Sequence, residues 1–180
     1  MKIYLRIVAT FGLIASLLTS CDEPEDEPIT FDSQYYLIDF TVDPVDRTGY
    51  HIFSEKITRS NLDSLLETQN LTREELLEVH VKETMIHITD TDASITFDPL
   101  EKLSVTIYTE ILGEKTIASI DPIPRGVREL SLFLEEDDLK DYLYEDEFML
   151  SAVGILKVRT YKVVPMQAKV KFQFKAGVKK

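Results

Sequence analysis

The stretch Asp90-Thr91-Asp92-Ala93-Ser94-Ile95-Thr96-Phe97-Asp98-Pro99-Leu100-Glu101 places oxygen-bearing side chains at offsets 1, 3, 5, 7, 9 and 12. A calcium ion takes about six to eight oxygen ligands, and a loop with that spacing can wrap around one. Asp90, Asp92 and Asp98 are therefore the calcium candidates. Two neighbours oppose the assignment. Ile95 stands where the sharp turn of such a loop needs glycine, and Pro99 removes an amide near its end. The stretch reads as a polar loop between strands, with no metal assigned to it.

Histidine chemistry is thinly supplied, because His51, His80 and His87 are the only three. In an even strand His80 and His87 point to opposite faces. With a bulge between them they share a face, yet stay about 23 Å apart at 3.3 Å per residue, too far for one metal. No G-x-S-x-G elbow marks a serine nucleophile, and six glycines leave little material for a phosphate-cradling loop. No catalytic residue and no cofactor is assigned.

Cys21 is the one cysteine in 180 residues, so neither an intrachain disulfide nor a cysteine-rich metal cluster is available. Lys2 and Arg6 form a short positive region, an apolar run extends from Ile7 to Leu18, and the small pair Thr19 and Ser20 precedes the thiol. A membrane span needs about 20 apolar residues, so this run has the length of a signal peptide rather than of a transmembrane helix. Leu18-Thr19-Ser20-Cys21 resembles a bacterial lipobox, in which the thiol is alkylated by a diacylglyceryl group before cleavage. The resemblance implies lipidation at Cys21 and an anchor in the membrane. An ordinary secretory signal with a chance cysteine is the competing reading.

Removing the first 20 residues leaves 160 and takes the net charge from -12 to -14. Such a chain repels phosphate backbones, which argues against nucleic acid as a partner. Asp22-Glu23-Pro24-Glu25-Asp26-Glu27-Pro28 follows the thiol; five acids and two prolines cannot pack, so residues 21–30 read as a disordered acidic linker. The tract is similar to the acidic export signal of Bacteroidota-type surface lipoproteins, which implies the outer face of the outer membrane. A periplasm-facing anchor is the alternative.

These features need a folded body, and residues 31–180 read as a single domain. Ala168, Val170, Phe172, Phe174 and Ala176 alternate with Lys169, Lys171, Gln173 and Lys175, the pattern of a half-buried antiparallel strand. Strands are expected at 36–42, 103–107, 130–134 and 148–152, with weaker ones at 49–58 and 116–120. Between Val79 and Thr89 the apolar parity changes, which a bulge near Thr84 would reconcile. Two short helices are expected, one capped by Thr72 with Glu75 reaching back, the other over 138–144. About eight short strands make the fold all-β, an antiparallel β-sandwich. From Val79 to Phe174 the strand order resembles Ig-like or late-embryogenesis-like sandwiches of uncharacterised lipoproteins. That resemblance bears on fold and not on activity.

Smaller signals complete the reading. Asp63-Ser64-Leu65 resembles a Bacteroidota-type O-glycosylation site, making Ser64 a glycosylation candidate. Asn70-Leu71-Thr72 fits an N-glycosylation sequon, but Thr72 is better explained as a cap. The absence of tryptophan counts against carbohydrate binding, although Tyr35 and Tyr36 stand near the start of the domain. Eight acids fall between Glu135 and Glu147, and none follows, whereas Lys169, Lys171 and Lys175 line one strand face. This is either a solvated loop beside a protective lysine edge or a bipolar surface for an envelope protein partner. The expected role is a membrane-anchored, non-enzymatic binding or structural module. An envelope hydrolase and a fimbrial or adhesive subunit are the alternatives.

Overall fold

The alternation at the C-terminus continues through most of the chain and builds two sheets. The structure, a computed structural model, describes residues 28–44 and 47–177, so the expected signal peptide, Cys21 and most of the expected acidic linker lie outside the described residues. In order come β1 (Ile29–Asp32), β2 (Tyr36–Val42), β3 (Gly49–Arg59), α1 (Leu62–Thr68), a 3-10 turn (Arg73–Glu75), β4 (Leu76–Ile88), β5 (Leu100–Thr109), β6 (Gly113–Ile120), β7 (Glu129–Ser131), β8 (Phe133–Leu134), α2 (Lys140–Tyr144), β9 (Glu147–Leu156) and β10 (Val164–Ala176). In the first sheet β1 and β2 both pair with one side of β10, followed by β4 and β7; the second runs β3-β9-β5-β6-β8. All pairings are antiparallel. The protein is an all-β sandwich, as expected.

The core lies between the sheets. Ala168, Val170, Phe172, Phe174 and Ala176 of β10 are fully buried. Phe172 meets Tyr36 edge-on at 5.5 Å and Phe148 of the opposite sheet at 6.3 Å, while Tyr36 and Phe148 lie 5.6 Å apart. Edge-to-face aromatic contacts add about 0.5–1.5 kcal/mol each to the burial of the rings.

The parity change in β4 is a bulge. Phe172 faces Val81 and Lys171 faces Glu83, leaving Lys82 as the extra residue. It lies two positions before the expected site near Thr84. The insertion keeps Val79 and Val81 inward on one side and Thr84, Ile86 and Ile88 inward on the other. It also turns His80 and His87 to the same outer face.

The expected strand over 130–134 is broken. Leu130 of β7 pairs with Ile86 of the first sheet, whereas Leu134 of β8 pairs with Ala118 of the second. Between them the Leu132 amide donates to the Thr84 carbonyl at 2.9 Å, and the chain crosses from one sheet to the other. Alternation reports only which side is inward, and at such a corner Leu130 and Leu132 stay inward while the partner sheet changes.

Helical segments close one end. α1 was not among the expected helices; its signal was the spacing of Leu62, Leu65 and Leu66. Leu62 and Leu66 are buried. Glu75 accepts from the Thr72 amide at 2.8 Å, as the capping box requires, but only one 3-10 turn forms before β4 begins. The second expected helix is shorter, starting at Lys140, with the Asp138 carboxylate accepting from the Val79 and Lys140 amides at 2.9 Å. Arg73 ties these pieces together: it pairs with Asp63, donates to the Tyr144 carbonyl, and its guanidinium lies 5.5 Å from the Tyr144 ring centroid. The described chain enters at this same end, where Ile29 faces Ala176, two residues ahead of the expected boundary at 31.

Thr84 Oγ1 is buried between the sheets and has no hydrogen-bond partner among the described residues. An unsatisfied hydroxyl costs about 1–3 kcal/mol, and valine has nearly its shape. Thr84→Val is expected to raise unfolding stability by about 1 kcal/mol, read as a higher urea midpoint at unchanged slope.

Candidate functional site

The acidic loop between β4 and β5 does hold a cation, but an internal one. The Arg128 guanidinium donates to the backbone carbonyls of Asp90 and Asp92, and to that of Ile95 at 2.8 Å. The carboxylates serve local turns. Asp90 accepts from the Asp92 amide at 2.7 Å, Asp92 from the amide and hydroxyl of Ser94 at 2.9 and 2.7 Å, and Asp98 from the Gly126 amide at 2.8 Å. The Ser94 hydroxyl holds the Asp92 carboxyl below the usual carboxylate range, and the Gly126 amide does the same for Asp98. Among the described residues no group of three or more His, Cys, Asp and Glu side chains converges as a metal site. The missed residue was Arg128, more than 30 positions downstream in sequence.

Other sequence candidates are dispersed. His51 lies in the second sheet with Nε2 3.2 Å from the Arg47 carbonyl; His80 Nδ1 is 3.0 Å from the Asp137 carbonyl. Ser64 is exposed on α1. Tyr36 is half-buried against the core, and Tyr35 donates to Glu83 at 2.6 Å. Among the described residues no helix is long and apolar enough to span a membrane.

The lysine face of β10 is largely matched by its own neighbours. Lys171 and Lys82 both reach Asp32, at 3.3 and 2.6 Å, and Lys175 reaches Glu78 at 3.3 Å. These contacts disfavour a bare basic surface. The Lys82 ammonium, aided by Lys171, holds the Asp32 carboxyl below its ordinary value of 3.8.

The outward face of the second sheet is different. Tyr50, Ile52 and Ile57 of the edge strand β3 are 61%, 56% and 70% exposed. Ile52 faces Val153 and Ser54 faces Ala152, so Phe53 is an extra residue; without this bulge Ile52 and Ile57 would point to opposite sides. That break in phase also made β3 a weak strand in the sequence. Beside these side chains, Ser104, Thr106 and Ser151 point outward yet are buried, forming a low floor between taller neighbours.

Toward the end where α1 and α2 lie, this face opens into a groove of about 900 Å³. Ile57, Tyr108, Ile111 and Met149 supply its apolar lining. Glu110, Glu145, Asp146 and Glu147 border it, with Arg59 3.5 Å from Glu147 and Tyr144 at one side. The β5–β6 turn presents Ile111 at 75% exposure; Thr109 Oγ1 accepts from the Leu112 amide at 3.1 Å, and Gly113 takes a φ of 77° to complete the turn. Such a surface can hold apolar side chains and cations together. The chain matches no protein-family model and no curated protein.

Two measurements follow from this geometry. Because Arg128 occupies the loop carbonyls, 1 mM calcium (~1 mM, the weak end of calcium-binding loops) is expected to leave the melting temperature unchanged, whereas Arg128→Ala lowers stability by about 2 kcal/mol. Asp32 is depressed in the folded state, so its contribution is present above its ordinary pKa and is lost as pH falls through the lower folded value. Asp32→Asn is expected to narrow the difference between urea midpoints at neutral and at strongly acidic pH.

Proposed function

We propose that the protein is a lipid-anchored, non-enzymatic binding module of the bacterial outer envelope, with the outward face of the second sheet as its docking surface. The observation that carries this reading is the concentration of Tyr50, Ile52, Ile57 and Ile111, all more than half exposed, on one face and its adjoining turn. Large rimmed apolar patches mark interaction surfaces in soluble domains. Leu18-Thr19-Ser20-Cys21 supports the anchor and the acidic tract supports surface export.

Docking through the face is favoured over strand addition. β3 is an edge strand, but Lys56 turns inward and donates to the Leu37 carbonyl of the other sheet at 2.7 Å. An inward lysine together with a bulge is a device that discourages edge pairing. This weakens the fimbrial alternative.

Palmitate labelling and detergent-phase partitioning test the anchor. The intact chain is expected to take up label and enter the detergent phase, and Cys21→Ala to do neither. An unlabelled, aqueous wild-type protein would overturn the reading. Protease digestion of intact cells then separates the outer face from the periplasmic one.

A further inference from the structure

We infer that the groove bounded by Ile57, Tyr108, Ile111 and Met149 receives a lysine- or arginine-bearing, aliphatic segment of a protein partner at the anchoring membrane. The inference deepens the binding-module reading and rests on it.

Charge selects the occupant. Four carboxylates border the groove, namely Glu110, Glu145, Asp146 and Glu147, while Arg59 is the single basic lining residue among the described residues and already stands 3.5 Å from Glu147. A ligand that buries apolar groups here must pass between these acids. Cationic side chains gain from that placement, and anionic ones lose by it. The same carboxylates turn away phosphate-bearing lipid headgroups and acidic peptides. Ile57 and Ile111, 70% and 75% exposed, offer aliphatic surface that a purely cationic ligand such as a polyamine would leave uncovered.

Placement selects where the partner is. Arg59 leads into α1 and Glu147 follows α2, so the groove lies at the end where Ile29 faces Ala176 and the described chain enters. From Cys21 to Pro28 the chain reaches at most about 25 Å at ~3.5 Å per residue. A tether at Cys21 therefore holds the groove close to the bilayer, within reach of segments projecting from proteins in that membrane.

Fluorescence anisotropy of the detergent-solubilised full chain tests this directly. The probe is a fluorescein-labelled peptide of alternating lysine and valine, compared with its glutamate–valine counterpart and challenged with glycerol phosphate, a soluble stand-in for an anionic lipid headgroup. Saturable binding of the lysine–valine probe alone is expected. Ile57→Ser with Ile111→Ser should weaken it about fivefold, and reversal of Glu110, Glu145 and Asp146 to lysine about tenfold or more. Reversal of Glu67, Glu136 and Asp141, exposed acids outside the groove, is the control for net charge. An equal loss in that control, an unchanged affinity in the isoleucine variant, comparable binding of the glutamate–valine probe, or displacement of the lysine–valine probe by glycerol phosphate would overturn the inference. Circular dichroism confirms that each variant is folded. Peptide binding in detergent does not depend on lipidation, so its failure is distinct from failure of the anchor.

Discussion

Phe172 lies between Tyr36 of its own sheet and Phe148 of the opposing one, and the rest of the sandwich is arranged around keeping such side chains inward. A one-residue slip in a strand would turn every apolar side chain beyond it to water. Each fully buried aliphatic or phenyl group contributes about 1.5–3 kcal/mol, so a slip across several of them would exceed the net stability of an ordinary domain. Three irregularities of this fold answer to that constraint. Lys82 is inserted so that Val81 and Thr84 both face the core. Phe53 is inserted in β3, and Leu132 turns the corner between sheets without leaving the interior.

The same constraint explains which parts of the fold were legible in the sequence. β10 was readable because its two faces differ at every step from Ala168 to Ala176. The β4 bulge was readable as a change of parity, but only to within two residues, since alternation does not reveal which residue is extra. The 129–134 corner was not readable, because crossing to the other sheet leaves the inward pattern untouched. α1 was obscured for another reason. Its leucines occupy fewer than two turns, too short a stretch for a helical period to stand out. The Thr72–Glu75 box was real chemistry, but β4 begins at Leu76 and left it a single turn.

Site residues were harder to read than strands because their roles depend on partners distant in sequence. The aspartates from Asp90 to Asp98 had calcium-like spacing, yet their carboxylates serve local turns and the loop's carbonyls hold Arg128, placed there by the segment before β7. The lysines of β10 looked like a basic surface until Asp32 and Glu78, from strands on either side, were placed beside them. Ile52 and Ile57 had no visible common face, because the bulge at Phe53 is what gives them one. The exposed apolar face was thus hidden by the feature that creates it.

The two outer faces therefore differ in what they leave available. On the first sheet the outward Lys82, Lys171 and Lys175 pair within the chain, and exposed pairs of this kind are worth only about 0–1 kcal/mol, so they add solubility and register more than stability. On the second, exposed isoleucines contribute almost nothing to folding, since their burial against the core is small. Folding alone gives no reason to gather them on one face. Covering them with a partner would recover about 25 cal/mol for each Å² removed from water, less the cost of association. On the proposed reading, apolar surface would supply the driving force for docking, and the bordering carboxylates would restrict that gain to ligands carrying positive charge.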